Sequence, residues 1–215
     1  MASRADHAPD ALDYFPTPPW AARAGAELIG RLDPGSWSCW EPACGEGHLA
    51  HGLRDYFSTI VVSDIFDYGQ GPDGVADFLA YDCADPEAEW IISNPPFKLG
   101  EAFVRTAWPR AQRGVAMLLR LAFLEGGARH KLLYTDCPLS VLAPFAERVP
   151  MVKGRWDPEA SSATAYAWFI WQKYGDHAEA RILPIGPGAK ARLSRPEDAR
   201  VFGAKDPGPL FGSAA

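Results

Sequence analysis

Hydrophobic positions along this chain fall into longer runs that read as helices and short apolar runs that read as buried strands. Behind Pro18-Pro19, a pair tolerated in a helix's first turn, a helix is predicted from Trp20 to Leu32, and Asp33-Pro34-Gly35 ends it. Ser38-Cys39-Trp40 leads into a glycine-containing turn, and a second helix is predicted over His48 to Phe57. Thr59 to Ser63 is β-branched and apolar, as a buried strand should be. Val75 to Leu79 and Glu89 to Ser93 are further strand candidates, followed by a helix over Leu99 to Ala111. Val115 to Leu124 reads as a strand, Ala128 to Tyr134 as a short helix, and Leu139 to Ala143 and Thr164 to Lys173 as late strands.

Strands alternating with helices predict an α/β sheet that is largely parallel. The 215 residues suit one domain, able to bury roughly 70% of its unfolded surface. Residues 1–13 are small, polar and unpatterned, and are expected to form a loose arm. From Pro184 onward Pro and Gly recur without periodicity, so residues 184–215 are expected to be a flexible or extended tail. Residues 14–183 are left as the folded domain, with no internal repeat.

Composition is that of an ordinary globular chain, 47% hydrophobic and 22% charged. The longest apolar run, Val115 to Leu124, is interrupted by Arg120 and falls well short of the roughly 20 residues that span a bilayer. Acids at Asp6, Asp10 and Asp13 replace the basic-then-apolar start of a secretory signal, so a cytoplasmic protein is expected. Cys39, Cys44, Cys83 and Cys137 form neither a CxxC pair nor a ligand cluster; they read as reduced, packed thiols, and no metal is expected. The net charge of −6 conceals a segregation: residues 1–97 hold 4 basic and 16 acidic side chains, residues 98–155 hold 10 and 4, and the remainder balances at 7 and 7. One basic face meeting phosphates fits this distribution, and so does an uneven solvated surface.

The most informative residues are Asn94-Pro95-Pro96-Phe97, straight after the apolar run Trp90-Ile91-Ile92-Ser93. Two prolines stop a strand, because proline fixes φ and donates no ladder hydrogen bond. Pre-proline geometry also drives Asn94 toward an extended backbone. An amide held at a strand end, a carbonyl and an aromatic face suit a flat group carrying an NH2. Upstream, Glu41-Pro42-Ala43-Cys44-Gly45-Glu46-Gly47 lies between a strand and a helix, where glycines let the backbone approach a ligand. Asp64 follows Gly45 by 19 residues, at the next strand's end, where a carboxylate meets ribose hydroxyls in a doubly wound fold. Gly45 to Ala50 also matches the GxGxxG/A dinucleotide fingerprint, so a nicotinamide enzyme is a competing reading. Glu41 beside the glycines would repel a pyrophosphate and suits a cationic amino acid group, which favours S-adenosylmethionine.

On these motifs the chain resembles class I S-adenosylmethionine-dependent methyltransferases, and more narrowly the N6-adenine DNA amino-methyltransferases. Tyr14-Phe15-Pro16-Thr17-Pro18-Pro19 is similar to the family's element at the methionine end of the cofactor. Glu41 to Gly47 resembles its ExACGxG loop, and Ser63-Asp64-Ile65 its ribose-binding strand end. Asp77-Phe78 resembles the pair that contacts the cofactor's adenine, and Ser93 to Phe97 the catalytic NPPF element. Cofactor motif first and catalytic motif later is the order called gamma. Leu118 to Arg129 and Tyr166 to Trp171 resemble small phage-type stand-alone enzymes. The resemblance implies a Rossmann-like methyltransferase fold, a mostly parallel seven-stranded sheet with helices on both faces. It also implies Tyr14, Phe15, Thr17, Glu41, Ala43, Cys44, Gly45, Gly47, Asp64, Ile65, Asp77, Phe78 and Asn94 at the cofactor, and Asn94, Pro95, Pro96 and Phe97 at the chemistry. Larger family members carry a target-recognition domain, for which this chain has no length.

The reaction implied is methyl transfer to adenine N6 in DNA, with the Asn94 amide oxygen and the Pro95 carbonyl each taking one amino N–H and Phe97 stacking on the base. RNA guanine N2 and protein glutamine amides present the same kind of amino group and stay open as substrates, as does a non-catalytic nucleic-acid-binding relic of the fold. His48 reads as a surface or capping residue, and Trp168, Phe169 and Trp171 as core. Lys98 follows the catalytic element and could reach a phosphate. Arg148, Lys153, Arg155 and Trp156, in a Pro- and Gly-containing connection, suit phosphate contact and stacking, or simply a solvated loop.

Overall fold

The computed structural model describes residues 13–69, 73–80, 86–175 and 179–203. Residues 1–12 of the expected arm, 204–215 of the expected tail, and Cys83 lie outside the described residues.

Eight strands form one sheet: β1 (Ser38–Glu41), β2 (Thr59–Asp64), β3 (Gly74–Val75), β4 (Trp90–Ser93), β5 (Gly114–Arg120), β6 (Val141–Pro144), β7 (Tyr166–Gln172) and β8 (Arg181–Ile182). Their order is β3-β2-β1-β4-β5-β7-β6-β8, and only β7 runs antiparallel to its neighbours. The two-residue edges β3 and β8 account for a count above the expected seven. Every residue of β4 and β7 is buried. A strand covered by helices on both faces needs apolar residues at consecutive positions, which is why these segments read as continuous runs.

One face carries α1 (Pro19–Leu32), α2 (His48–Leu53) and α5 (Ala189–Leu193), with Trp20, Leu28 and Leu53 packed among Ile92, Leu118 and Trp168. The other carries α3 (Gly100–Arg110), whose Phe103, Val104 and Ala107 meet Met117, Phe169 and Trp171; α4 (Gly127–Lys131) buries none of its residues and leads into Leu132 and Leu133, which join this cluster. Helix α1 lies so close to β7 that a Cβ on Gly25 would sit 2.4 Å from the Trp168 indole, whose N–H donates to the Ala21 carbonyl at 3.0 Å. Trp168, Phe169 and Trp171 are fully buried, as expected. No described helix is long and apolar enough to cross a membrane.

Three expectations need correction. The strand predicted to reach Leu124 ends at Arg120, and Leu121–Leu124 turns as a 3-10 helix. Of Val75 to Leu79 only Val75 is strand; the Asp77 carboxylate accepts the Leu79 N–H at 3.0 Å and closes a turn instead. The largest correction concerns residues 184–202, which are built into the fold. Ile185 bridges to Phe145, α5 packs on α1, and a final helix, α6 (Pro196–Phe202), buries Asp198 against Arg23. These elements are held by distant partners, so no local periodicity marks them.

Candidate active site

Strand order reverses between β1 and β4, and the carboxyl ends of the strands open there into the crevice where open α/β sheets hold ligands. Glu41 ends β1, and the loop to α2 turns through two left-handed glycines, Gly45 (φ 53°) and Gly47 (φ 82°). A Cβ on Gly45 would lie 2.3 Å from the Tyr14 ring, so glycine is required both for φ and for space. Asp64, ending β2, accepts the Gly45 N–H at 2.8 Å on one oxygen and the Phe66 N–H at 3.1 Å on the other. Its carboxylate thereby ties the loop to the next strand, with the Ile65 backbone as a further hydrogen-bond partner, and still faces the crevice.

Asn94 leaves β4 with its amide oriented by the segment before α1. The amide NH2 donates to the Phe15 carbonyl at 2.8 Å, which leaves the buried Oδ1 with no partner. An unpaired buried acceptor is costly in a folded protein and is kept where a ligand donor completes it. The same segment holds the next turn, since the Asp13 carboxylate accepts the Phe97 N–H at 3.0 Å. The Tyr14 hydroxyl accepts the Glu46 N–H at 3.3 Å and lies 3.3 Å from His48 Nδ1. Residues 13–17 thus join the glycine loop to the turn Asn94-Pro95-Pro96-Phe97.

Between them lies a cavity of about 310 Å³, within the range of small-molecule sites. Its wall includes Tyr14, Phe15, Thr17, Glu41, Ala43, Cys44, Asp64, Ile65, Asp77, Phe78 and Asn94, together with Pro96 and Lys98. Eleven of the thirteen residues predicted for the cofactor therefore meet here; Gly45 and Gly47 stand behind the wall. Pro95 and Phe97 do not line it. Phe97 instead lies among Phe15, Tyr166 and Arg120. Phe78 is fixed edge-on to Trp40, with ring centroids 5.1 Å apart.

Sequence reasoning missed Asp13, His48 and Tyr68 on the wall. His48 is buried, stacks on Phe202 of α6 at 3.9 Å, and burial pushes its pKa down to about 3, so the imidazole is neutral. As the residue that follows the glycine loop and opens α2, it could have been placed facing inward.

The cavity is acidic. Burial raises the Glu41 carboxyl well above its ordinary range, the neighbouring Asp64 adds to this, and Glu41 Oε2 has no partner. Burial also raises Asp64, against the backbone N–H groups that hold its charged form. Thr17 Oγ1 is a third buried unpartnered atom on the wall. A cavity of this kind favours a cationic, hydrogen-bonding ligand and penalises a phosphate. No cluster of His, Cys, Asp and Glu able to hold a metal occurs among the described residues.

The basic residues singled out earlier are dispersed. Lys98 is exposed at the cavity mouth, Arg148 donates to the Ala163 carbonyl, and Arg155 pairs with Asp157 at 3.3 Å. Lys153 borders a small cleft beside Glu46 and Asp67. Trp156 is half-buried against His48 and Phe202, with its indole N–H enclosed, so it presents no free stacking platform.

Several solved structures share this architecture. The methyltransferase subunit of a type I restriction-modification system from Streptococcus thermophilus superposes with a TM-score of 0.60 at 15% identity, covering 86% of this chain and 53% of its own. A putative RNA methyltransferase from Pyrococcus horikoshii gives 0.59 at 13% identity, covering 76% and 88%. A putative class I S-adenosylmethionine-dependent methyltransferase from Listeria monocytogenes gives 0.57 at 14%, covering 87% and 71%. The chain has the Rossmann-like methyltransferase fold. It spans about half the length of the restriction-modification subunit. No protein-family model matches the sequence, and no curated protein matches it.

Proposed function

We propose that the protein transfers a methyl group from S-adenosylmethionine to the exocyclic N6 amino group of adenine in DNA. The observation that carries this reading is Asn94: its NH2 is committed to the Phe15 carbonyl, and its buried Oδ1 is left as an open acceptor on the wall of a carboxylate-lined cavity. The cavity residues fit the cofactor. Glu41 has an unpaired oxygen for an α-ammonium, Asp64 offers its carboxylate to ribose hydroxyls, and Asp77 and Phe78 stand where an adenine ring and amino group would be held. When bound there, S-adenosylmethionine supplies an electrophilic methyl on its sulfonium. The same buried acids oppose a nicotinamide dinucleotide, whose pyrophosphate would face Glu41.

Adenine N6 is a poor nucleophile because its lone pair is conjugated with the ring. Asn94 Oδ1 and the Pro95 carbonyl, each accepting one amino hydrogen, turn that lone pair out of conjugation. The amino nitrogen attacks with both hydrogens in place and sheds one to water once the methyl has moved, so neutral His48 is not needed as a base. Orientation in a dry site is the main source of acceleration, and positioning of this kind can supply about 7–11 kcal/mol. A base within a duplex must first be flipped out, at a cost of a few kcal/mol, which favours unpaired adenines.

The deciding experiment incubates the protein with methyl-labelled cofactor and DNA, RNA or protein, and identifies the methylated atom. N6-methyladenine is the expected product; N2-methylguanine in RNA or methylglutamine in protein would replace the reading by one of its rivals. Asn94→Ala should lower the transfer rate by about 10²–10³-fold, the scale of losing a preorganised hydrogen-bonding group. Calorimetry should find its cofactor affinity nearly unchanged.

A further inference from the structure

Phe97 provides the aromatic face expected to receive the base, yet the partly buried ring is already flanked by three side chains. Phe15 tilts against it at 5.1 Å and Tyr166 at 5.8 Å, while the Arg120 guanidinium carbon lies 4.1 Å from its centroid. Two of these neighbours are fixed. Phe15 carries the carbonyl that orients Asn94, and Tyr166 is 4% exposed within β7. Moving either would leave a void in packed structure.

Arg120 differs from both. It is the exposed last residue of β5, directly opposite Tyr166 across the sheet, and it forms no ion pair among the described residues. Among the described residues its guanidinium lies over the Phe97 ring and interacts with the Tyr166 hydroxyl. A guanidinium is planar and stacks on aromatic faces much as a base does. An exposed contact of this kind changes an equilibrium by a factor of only about two to five.

We propose that Arg120 is a gate on Phe97: its guanidinium holds the place of the target base on the ring and gives way when an extruded base stacks there. The inference rests on the function proposed above. The displaced cation stays at the mouth of the site, where a nucleic-acid strand brings its phosphates. Base entry exchanges a ring contact for a phosphate contact. The gate therefore selects a base carried on a strand over a free nucleoside, and over a glutamine amide, which brings neither an aromatic plane nor a phosphate.

Arg120→Lys and Arg120→Ala separate the two halves of this exchange. Lysine keeps the charge and gives up the planar stack, so the KM for single-stranded DNA of mixed sequence should fall about two- to fivefold, with the change on KM rather than kcat. Alanine also frees the ring but removes the phosphate contact. With the cofactor site saturated by S-adenosylhomocysteine, adenosine should compete about two- to fivefold better against DNA than it does in the wild type. The slope of log affinity against log salt for single-stranded DNA should lessen by about 0.7. Methylated adenine in the wild-type product, with KM, adenosine competition and salt slope all unmoved in both variants, overturns the gate alone. A wild-type product methylated at a different atom overturns the functional reading and the gate with it.

Discussion

At the scale of single residues the site is a set of polar groups left incomplete. Asn94 Oδ1, Glu41 Oε2 and Thr17 Oγ1 are buried on one cavity wall without partners, and each costs stability until a ligand arrives. Glu41 makes this testable. Burial raises its pKa above the ordinary 4.5, so the folded protein binds more protons than the unfolded chain. Its contribution to stability therefore falls as pH rises from that ordinary value toward the raised one. Under the proposed function an α-ammonium bound at Glu41 would reverse the balance by favouring the carboxylate, so cofactor binding should release a proton and tighten as pH rises. This holds below about pH 7.7–8.0, where the α-ammonium itself titrates. Glu41→Gln should raise the melting temperature of the free protein, weaken cofactor binding by about tenfold or more, and abolish the pH slope; a hydrogen-bonded charged partner is worth about 1.5–3 kcal/mol. Calorimetry in two buffers of different ionisation enthalpy measures the released proton directly, and a slope that survives in the variant assigns it to another group.

At the scale of elements, what was legible in the sequence depended on how local its cause is. Pro95-Pro96 stops β4 through the φ of its own residues, and Gly45 and Gly47 make their turn through their own backbone, so motif and position could be read together. Helix α6 carries a local start signal, Pro196 followed by Glu197 and Asp198 in the first turn, but no apolar periodicity behind it to mark a helix. It is seven residues long and is held by Asp198, whose two oxygens accept hydrogen bonds from Arg23 on α1 at 2.6 and 2.7 Å and which also meets His51 at 3.2 Å. A contact spanning 175 residues leaves no periodicity, and the surrounding Pro and Gly suggested a tail. The flanking of Phe97 was hidden for the same reason, since Arg120 and Tyr166 reach it only through the pairing of β5 with β7. Through Phe202 on His48, α6 also braces the start of α2 behind the glycine loop. Asp198→Ala leaves the buried Arg23 guanidinium without its carboxylate and with the Leu193 carbonyl as its remaining acceptor, a loss of about 3–5 kcal/mol, or about 6–20 °C in melting temperature for a domain of this size. Burial alone would raise the Asp198 pKa, but its bonds to Arg23 outweigh that and hold it below the ordinary 3.8. The pair's stabilisation is therefore present above that value and lost as pH falls through the lowered one. Thermal melting between neutral and acid pH should show the wild type converging on the variant at low pH. Parallel curves would mean that Asp198 stabilises the fold by packing rather than by charge.

At the scale of the molecule, the charge segregation and the sheet order coincide. The acidic segment 1–97 builds β1 to β4 with the carboxylate-lined cavity, and the basic segment 98–155 supplies β5, β6 and the connections around them. Under the proposed function, a cationic cofactor is drawn to one side of the switch point and a polyanionic strand to the other, each repelled from its partner's half. Basic residues do not contribute equally to such a field. Arg155 is already neutralised by Asp157, and Lys153 borders Glu46 and Asp67, whereas Lys98 stands exposed at the mouth of the cavity. The salt dependence of strand binding should follow that order. Fluorescence anisotropy with single-stranded DNA, titrated with salt, should give a slope of log affinity that lessens by about 0.7 in Lys98→Ala, the counterion released by one phosphate contact. Arg155→Ala should change it by less, because the liberated Asp157 carboxylate replaces a screened pair with a bare repulsion that acts on affinity rather than on counterion number. An unchanged slope in Lys98→Ala would put the phosphate path away from the cavity mouth. A larger change in Arg155→Ala than in Lys98→Ala would move that path onto the loop before β7.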